Sequence, residues 1–207
     1  MARSRRRKRH QDAYGKRAQR GGYPARSVYK LEEIDRRVRL LRRGHRVLDL
    51  GAAPGSWLLY AAEVVGPEGR VVGVDLQELR TSLPPNAEFR QGDLHEVDPA
   101  GLGEFDVVLS DMAPATSGQR NVDQTRSFDL FMAALGVAER VLVPGGRFCG
   151  KLFQGPDLKT AQGAVAGLFE SARIVRPKAT RSESTELFLV GLGRTALTSS
   201  REPGGPP

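Results

Sequence analysis

The sequence places residues that are able to do chemistry at the ends of short apolar runs. The first run, 47–50, contains Asp49 and leads into a turn framed by Gly51 and Gly55. Glycine lets the backbone approach a ligand closely, and the helix expected from residue 56 offers unpaired N–H groups at its start. The spacing D-x-G-x-x-x-G differs from the G-x-G-x-x-G turn that binds a dinucleotide pyrophosphate. An acid at the turn favours a ligand with a cationic or amino group. We predict S-adenosyl-L-methionine; a glycine turn in another kind of α/β protein is the alternative.

Two further acidic residues follow the next two apolar runs. Asp75 lies 20 residues after Gly55, the spacing at which an acid meets the ribose hydroxyls of a bound nucleoside. Asp93 follows the third run and could accept a hydrogen bond from the adenine amino group. Each acid alone could equally be a helix cap or a loop stabiliser. Three acids in register with one glycine loop favour nucleoside binding.

A second set of charged residues lies further along the chain. Asp111 follows the fourth apolar run, Lys151 lies within the fifth, and Glu186 opens the last. If the fourth and fifth strands are neighbours, about 4.8 Å apart, Asp111 and Lys151 face one another at one edge of the sheet. An antiparallel last strand would bring Glu186 to the same edge. Lys151 is then either a buried ion-pair partner or a catalytic amine, and a neighbouring cofactor pocket favours the second. A neutral amine would be a general base, whereas a cation would stabilise a developing alkoxide.

Alternating strands and helices must position these residues. Ser27 is predicted to cap a first helix that runs to about Leu41 and buries one apolar stripe. Further helices are expected over 56–65, 125–142 and 157–170, and strands over 46–50, 70–75, 87–91, 105–110, 146–152, 172–177 and 186–192. This alternation predicts an α/β, Rossmann-like fold with a mostly parallel seven-stranded sheet and helices on both faces. The connection before the last strand is too short for a crossover helix, so that strand should run antiparallel.

The distribution of charge divides the chain into three parts. Residues 1–20 hold nine Lys or Arg and one acid, which accounts for the net charge of +8, since the other 23 basic and 23 acidic residues cancel. We predict a basic disordered arm over 1–22, a single domain over 23–193 and a disordered Pro/Gly tail over 194–207. Such an arm binds phosphate backbones by counterion release; a merely solubilising tail is the alternative. The arm could extend into a cationic surface that includes Arg26, Arg36, Arg37, Arg39, Arg42 and Arg43.

Composition excludes several classes of protein. Cys149 is the single cysteine, so no disulfide framework forms within the chain, which fits a reducing compartment. The three histidines are scattered, and no Cys/His cluster indicates a metal. No apolar run approaches the length of a membrane span, and no apolar segment follows the basic start as in a secretory signal. We expect a cytoplasmic protein with no metal and no membrane association.

Five motifs carry a resemblance to a known family. In chain order they are SVYKL at 27–31, DLGAAPG at 49–55, SDMAP at 110–114, KLFQG at 151–155 and STE at 184–186. Together they resemble the FtsJ-type ribose 2′-O-methyltransferases over about residues 27–193. The resemblance implies a Lys-Asp-Lys-Glu catalytic tetrad at Lys30, Asp111, Lys151 and Glu186. It also implies cofactor contacts at Gly55, Trp57, Asp75, Asp93 and Asp111, to which the turn analysis adds Gly51.

The resemblance also implies a substrate. It indicates S-adenosyl-L-methionine-dependent methylation of a uridine in the peptidyl-transferase region of large-subunit ribosomal RNA, within the assembled 50S subunit, by a monomeric enzyme. Two departures from the family appear. Ser56 stands where the family usually has glycine, and Ala115 and Thr116 replace the usual Asn-Met. Serine fits the first turn of a helix, so cofactor binding should survive. The second change lies in a loop, 113–124, that could contact RNA.

Other functions remain open from the sequence. Within the enzyme class, the target could be a ribose of tRNA or of another ribosomal RNA site. Methylation of base amino groups favours an Asn/Asp-Pro-Pro-aromatic run, which residues 111–114 lack, and carbon methylation of cytosine needs a reactive cysteine, whereas Cys149 lies mid-strand. A non-catalytic RNA-binding assembly factor would not need four charges at one edge. A nicotinamide oxidoreductase would need a different glycine spacing.

Overall fold

The computed structural model describes residues 13–94, 96, 99–180 and 184–196. Within them, seven strands form a single sheet that carries helices on both faces. The strands are β1 Arg46–Leu50, β2 Arg70–Asp75, β3 Ala87–Gln91, β4 Phe105–Ser110, β5 Leu142–Phe153, β6 Phe169–Val175 and β7 Glu186–Arg194. The helices are α1 Val28–Val38, α2 Ser56–Val65, α3 Pro99–Leu102, α4 Arg120–Val141 and α5 Leu158–Leu168. The predicted α/β, Rossmann-like architecture is confirmed.

The sheet has the strand order β3-β2-β1-β4-β5-β7-β6. All pairs from β3 to β5 are parallel, whereas β7 runs antiparallel to both β5 and β6. The predicted antiparallel last strand is therefore confirmed. Leu50 pairs with Val74 on one side and with Ser110 on the other, so β1, β2 and β4 end at the same level. This common edge is where the loops that follow the parallel strands come together.

Two apolar layers sandwich the sheet. Side chains of α1 and α2 such as Ile34 and Leu58 pack on one face, and side chains of α4 and α5 such as Phe131 and Val165 pack on the other. Successive residues of a strand point to opposite faces. Val47 of β1 accordingly joins the α1/α2 layer, and its neighbour Leu48 joins the α4/α5 layer. The near-continuous apolar strands of the sequence reflect this burial on both faces.

Some predicted boundaries shift for local reasons. Helix α1 ends at Val38 rather than near Leu41 because Arg39 adopts a left-handed conformation, with φ of 53°. The Asp35 carboxylate then accepts a hydrogen bond from the Leu41 amide at 2.8 Å. Ser27 occupies the predicted N-cap position of α1, but its side chain makes no capping hydrogen bond. Helix α4 begins five residues earlier than expected, and β5 is extended at both ends.

The ends of the chain differ in part from the sequence prediction. Residues 13–20 are helical, so the prediction of a disordered arm over 1–22 is wrong for this segment. Its Ala18 is buried against Val28, Tyr29 and Ala179. Residues 1–12 and 197–207 lie outside the described residues. Strand β7 continues to Arg194, one residue beyond the predicted end of the domain.

Candidate active site

A cavity of about 560 Å³ opens where the parallel strands end. Its volume lies within the range of small-molecule and cofactor sites. The cavity is lined by residues of the loops after β1 to β4, among them Gly51, Asp75, Leu76, Asp93, Asp111 and Met112. In open α/β sheets ligands bind at this edge. The structure therefore brings together most of the predicted cofactor residues around one nucleoside-sized space.

The glycine turn after β1 is shaped by close backbone contacts. Gly51 has φ of 78°, and a Cβ atom there would overlap the Met112 side chain. Its amide donates to the Val74 carbonyl at 2.8 Å, which fixes the turn against β2. The predicted need for glycine at this position is explained by both the dihedral angle and the space.

Asp75 is held in a defined orientation at the end of β2. One carboxylate oxygen accepts a hydrogen bond from the Ala53 amide at 2.9 Å, and the other accepts one from the Gln77 amide at 2.8 Å. Each carboxylate oxygen has lone pairs left over for further donors. Asp75 can therefore receive ligand hydroxyls without releasing the loop. Leu76, which sequence reasoning missed, is 65% exposed at the cavity and offers an apolar contact to a ring. The only sequence signal for it was an apolar residue directly after the acid.

Gly55 and Trp57 are not among the residues that line this cavity. Gly55 precedes α2 with φ of 107°. The Trp57 side chain is buried and points toward α1: its indole N–H donates to the Ser27 carbonyl at 2.9 Å, and its ring lies 5.6 Å from that of Phe188. Cofactor contacts at these two positions remain a prediction.

Four charged side chains from four different elements meet beside the cavity. Lys151 Nζ of β5 lies 3.0 Å from Asp111 Oδ1 and also donates to the Asp111 backbone carbonyl. Lys30 Nζ of α1 lies 2.7 Å from Glu186 Oε1 and 3.8 Å from Asp111 Oδ1. All four side chains are mostly buried, with exposed fractions of 6–17%. The predicted meeting of Asp111, Lys151 and Glu186 at one edge is confirmed.

Electrostatics in this cluster follow from its alternating charges. Burial of Glu186 is the largest single influence and opposes its ionisation, but Lys30, with smaller contributions from Lys151 and Thr180, holds the pKa of Glu186 below its usual range. Glu186 is therefore ionised at neutral pH and fixes the position of Lys30. Asp111 Oδ1 lies within 4 Å of both lysines, so one carboxylate connects the two ammonium groups.

Asp49 is a buried acid directly behind the glycine turn. Its side chain is fully buried, and neither carboxylate oxygen has a hydrogen-bond partner among the described residues. Burial, with smaller contributions from Asp111 and Asp75, raises the pKa of Asp49 to about 8. A cationic group bound in front of the turn would favour the charged form of this acid. The residues present therefore fit a ligand with positive charge, as the sequence predicted for this turn.

Cys149 shows no sign of reactivity. It is fully buried in β5, and burial raises the pKa of its thiol. The mid-strand position predicted for Cys149 is confirmed, and a buried thiol of this kind is a poor nucleophile. Among the residues that the structure describes, no group of three or more His, Cys, Asp or Glu is arranged to hold a metal ion. No helix in the described part of the chain is both long and apolar enough to cross a bilayer.

The expected cationic surface is not continuous. Helix α1 runs away from the cavity, and the residues just after it contact the first half of β5: Arg147 donates to the Arg39 and Leu40 carbonyls. Arg39, Arg42 and Arg43 therefore lie toward the opposite edge of the sheet from Lys151, which corrects the surface predicted from the sequence. Arg36 and Arg37 of α1 pair with Glu32 and Glu33, one turn earlier on the same helix.

A loop next to the cavity is held by a residue that sequence reasoning missed. Asp123, in the first turn of α4, accepts hydrogen bonds from the Ser117 amide at 2.7 Å and from the Ser117 hydroxyl at 2.9 Å. These bonds tie down the loop that follows Asp111 and contains Ala115 and Thr116. The signal in the sequence was a serine followed six residues later by an acid at a helix start.

Comparison with known proteins assigns the family. The model of the FtsJ-like methyltransferases matches residues 23–194. The chain belongs to this family. A relative from Sorangium cellulosum, a ribosomal RNA large subunit methyltransferase E, is 55% identical over 188 residues, covering 89% of each chain. A relative of the same name from Oleidesulfovibrio alaskensis is 48% identical over 204 residues, covering 96% of this chain and 99% of its own.

Solved structures of known proteins show the same fold. A ribosomal RNA methyltransferase from Plasmodium falciparum superposes with a TM-score of 0.75 at 24% identity, covering 84% of this chain and all of that one. A fibrillarin from Aeropyrum pernix, solved with bound S-adenosyl-L-methionine, superposes with a TM-score of 0.56 at 16% identity, covering 80% and 76%. The protein is an FtsJ-like methyltransferase with a Rossmann-like fold, and S-adenosyl-L-methionine is its methyl donor.

Proposed function

We propose that this methyltransferase modifies the 2′-hydroxyl of a ribose in RNA, with a uridine of large-subunit ribosomal RNA as its target. The observation that carries the proposal is the cluster of Lys30, Asp111, Lys151 and Glu186 beside a nucleoside-sized cavity. A ribose hydroxyl is a poor nucleophile, and such a cluster offers an amine that can take its proton or stabilise negative charge on its oxygen. The names of the two relatives, which specify the large ribosomal subunit, support the substrate class.

The loops after β1 to β3 would hold the cofactor. Gly51 provides a close backbone approach, Asp75 receives the ribose hydroxyls, and Asp93 receives the adenine amino group. Asp111 closes the cavity on the side of the lysines, and the buried Asp49 lies behind the turn, where a bound cationic group would favour its ionised form. When bound, S-adenosyl-L-methionine supplies a methyl group on a sulfonium, which needs no further activation.

Lys151 would act on the hydroxyl of the substrate. Its amine is buried and oriented by two oxygens of Asp111, so it has one defined direction in which to meet a ribose oxygen. In its neutral form the amine takes the hydroxyl proton; in its protonated form it stabilises negative charge on the oxygen. A preorganised group of this kind costs no reorganisation during the reaction.

Lys30 and Glu186 would prepare the substrate side of the site. Lys30 brings a second positive charge to within 4 Å of Asp111, where it can orient the nucleotide that carries the target hydroxyl. Glu186 holds Lys30 by an ion pair of 2.7 Å. Most of the rate acceleration would then come from charges that are already in position before the substrate binds.

The RNA strand would approach along a groove next to the Lys30 end of α1. This groove, of about 420 Å³, is bounded by the helical segment 13–20 and contains Arg17 and Lys178. The Arg17 guanidinium lies 4.6 Å from the ring centroid of Tyr29, which directly precedes Lys30 in the chain. Cations at these positions favour the sugar–phosphate backbone beside the target nucleotide. Glu32 and Glu33 also line the groove, but each pairs with an arginine of α1, so their negative charges are compensated.

Finer aspects of the substrate are part of the same proposal. We infer that the enzyme acts as a cytoplasmic monomer on the assembled 50S subunit, without membrane association and without a metal. Methylation of tRNA or of another ribosomal RNA site is the nearest alternative within the class. A non-catalytic assembly factor is disfavoured because it would have no use for two buried lysines paired with two buried acids.

Transfer of a labelled methyl group tests the proposal directly. The full-length protein is incubated with labelled S-adenosyl-L-methionine and with 50S subunits, naked 23S RNA or tRNA, each prepared from cells that lack the endogenous modification. The expected result is label in a 2′-O-methyluridine of the 50S sample. Label in tRNA or in a base would contradict the proposed acceptor, and label in naked RNA alone would contradict the assembled subunit as substrate.

A further inference from the structure

The start of α1 is held by side chains of another helix. Ser27 precedes α1 but makes no side-chain capping bond. Instead, the Ser56 hydroxyl in the first turn of α2 accepts a hydrogen bond from the Ala25 amide at 2.7 Å and donates one to the Ala25 carbonyl at 3.0 Å. Ser56 is 1% exposed, so no water competes for these bonds. One hydroxyl therefore satisfies both backbone groups of a residue that leads into α1.

The adjacent residue of α2 holds the next part of the same segment. The Trp57 indole donates to the Ser27 carbonyl, and this carbonyl also accepts the amide of Lys30 at 3.0 Å. The Lys30 amide is thus hydrogen-bonded to a segment whose position is fixed by two successive side chains of α2. Gly55, immediately before Ser56, ends the turn that follows the cofactor strand β1. The first turn of α2 is therefore a physical link between the cofactor turn and Lys30.

We propose that Ser56 is a positioning residue for methyl transfer, holding the first turn of α1 so that Lys30 reaches Glu186 and Asp111. The inference deepens the proposed function, because it rests on the role given there to Lys30. Alanine or glycine at position 56 would have no hydroxyl for this contact. The position of Lys30 then depends on a hydroxyl at the first residue of α2.

A geometric requirement explains why one tether matters. The ion pair between Lys30 and Glu186 spans 2.7 Å, whereas Lys30 and Asp111 are 3.8 Å apart, near the limit of an ion pair. A small outward movement of α1 would carry Lys30 beyond ion-pair distance from Asp111 before it broke the ion pair with Glu186. Misplacement of a catalytic group lowers turnover more than it lowers affinity for a ligand bound elsewhere.

A double-mutant cycle tests the proposal. Full-length Ser56→Ala, Lys30→Ala and the double variant are compared with the wild type for kcat on 50S subunits and for the Kd of S-adenosyl-L-methionine. Ser56→Ala should lower kcat by about tenfold and leave the cofactor Kd within about twofold. In the Lys30→Ala background the same change should alter kcat by less than about twofold, because the residue it positions is gone. Ser56→Gly, which also lacks the hydroxyl, provides a second variant with the same expected result.

Asn86→Ala is the matched control. Asn86 also ties α2 through its side chain, donating to the Ala62 and Gly66 carbonyls at 2.9 and 2.8 Å, but at the end of the helix far from Lys30. It should lower the unfolding midpoint while kcat stays within about twofold of the wild type. Equal losses of kcat in the two backgrounds would overturn the link between Ser56 and Lys30. A Lys30→Ala variant with full kcat would instead overturn the proposed role of Lys30, and with it this inference.

Discussion

The two sides of the active-site edge are built in different ways. On the cofactor side, the loops after β1 and β2 are fixed mainly by main-chain donors: the Gly51 and Ala52 amides donate to the Val74 carbonyl, and the Ala53 amide donates to the Asp75 carboxylate. On the acceptor side, two basic and two acidic side chains from α1, the loop after β4, β5 and β7 hold one another. The cofactor side is thus a shape set by the main chain, and the acceptor side is a network of charges.

This difference has an energetic consequence. Backbone bonds around a glycine turn survive the loss of one side chain, because most partners are main-chain atoms. A buried charge network does not survive such a loss, since removal of one charge leaves its partner unpaired in a medium of low polarity. We therefore expect substitutions on the acceptor side to cost much more activity than substitutions on the cofactor side.

Replacement of Lys151 should have the largest effect. Lys151→Ala removes the amine that meets the ribose oxygen, so kcat should fall by about 10²–10⁴, the usual contribution of a general acid–base group. The Kd of S-adenosyl-L-methionine, measured by calorimetry, should change little, because the cofactor loops keep their backbone bonds. Lys159→Ala, an exposed lysine on α5, is the control and should keep full activity. Full activity of Lys151→Ala would remove Lys151 from the mechanism.

Replacement of Asp75 should have a smaller and different effect. Asp75→Ala removes the acceptor for ligand hydroxyls and two bonds within the loop. Bonds to a charged acceptor are worth about 1.5–3 kcal/mol, so the Kd of S-adenosyl-L-methionine should rise by about tenfold to a hundredfold. At saturating cofactor, kcat should change less than in Lys151→Ala. Asp129→Ala, an exposed acid on α4, serves as the control. An unchanged Kd would contradict the assignment of Asp75.

The same contrast explains what the sequence could predict. The cofactor side follows from local patterns, since apolar runs, a glycine spacing and acids at strand ends are all read within a few residues. The meeting of Asp111 and Lys151 required only that two parallel strands be neighbours, and β4 and β5 are. The contact of Ser56 with Ala25 joins the first turn of α2 to the segment before α1, 31 residues earlier, through one hydroxyl, and no local pattern encodes it. The sequence does not reveal the position of the arginines at the far end of α1, because the direction of a helix relative to the sheet is a tertiary property.

Asp49 lies at the boundary between the two sides and allows a test of the electrostatics without the substrate. Folding raises the pKa of its carboxyl from 3.8 to about 8 through burial. Between these values the folded state binds a proton that the unfolded state has lost, so this residue makes the protein less stable as pH rises through that window. Asp49→Asn has no proton to lose there. The stability of the variant relative to the wild type, measured by urea unfolding without cofactor, should therefore increase from pH 5 to pH 8, by about 1 kcal/mol or more. Asp129→Asn should show the pH dependence of the wild type. Parallel curves for Asp49→Asn and the wild type would mean that Asp49 is already ionised in the free protein, and that its charge is stabilised before any cation binds.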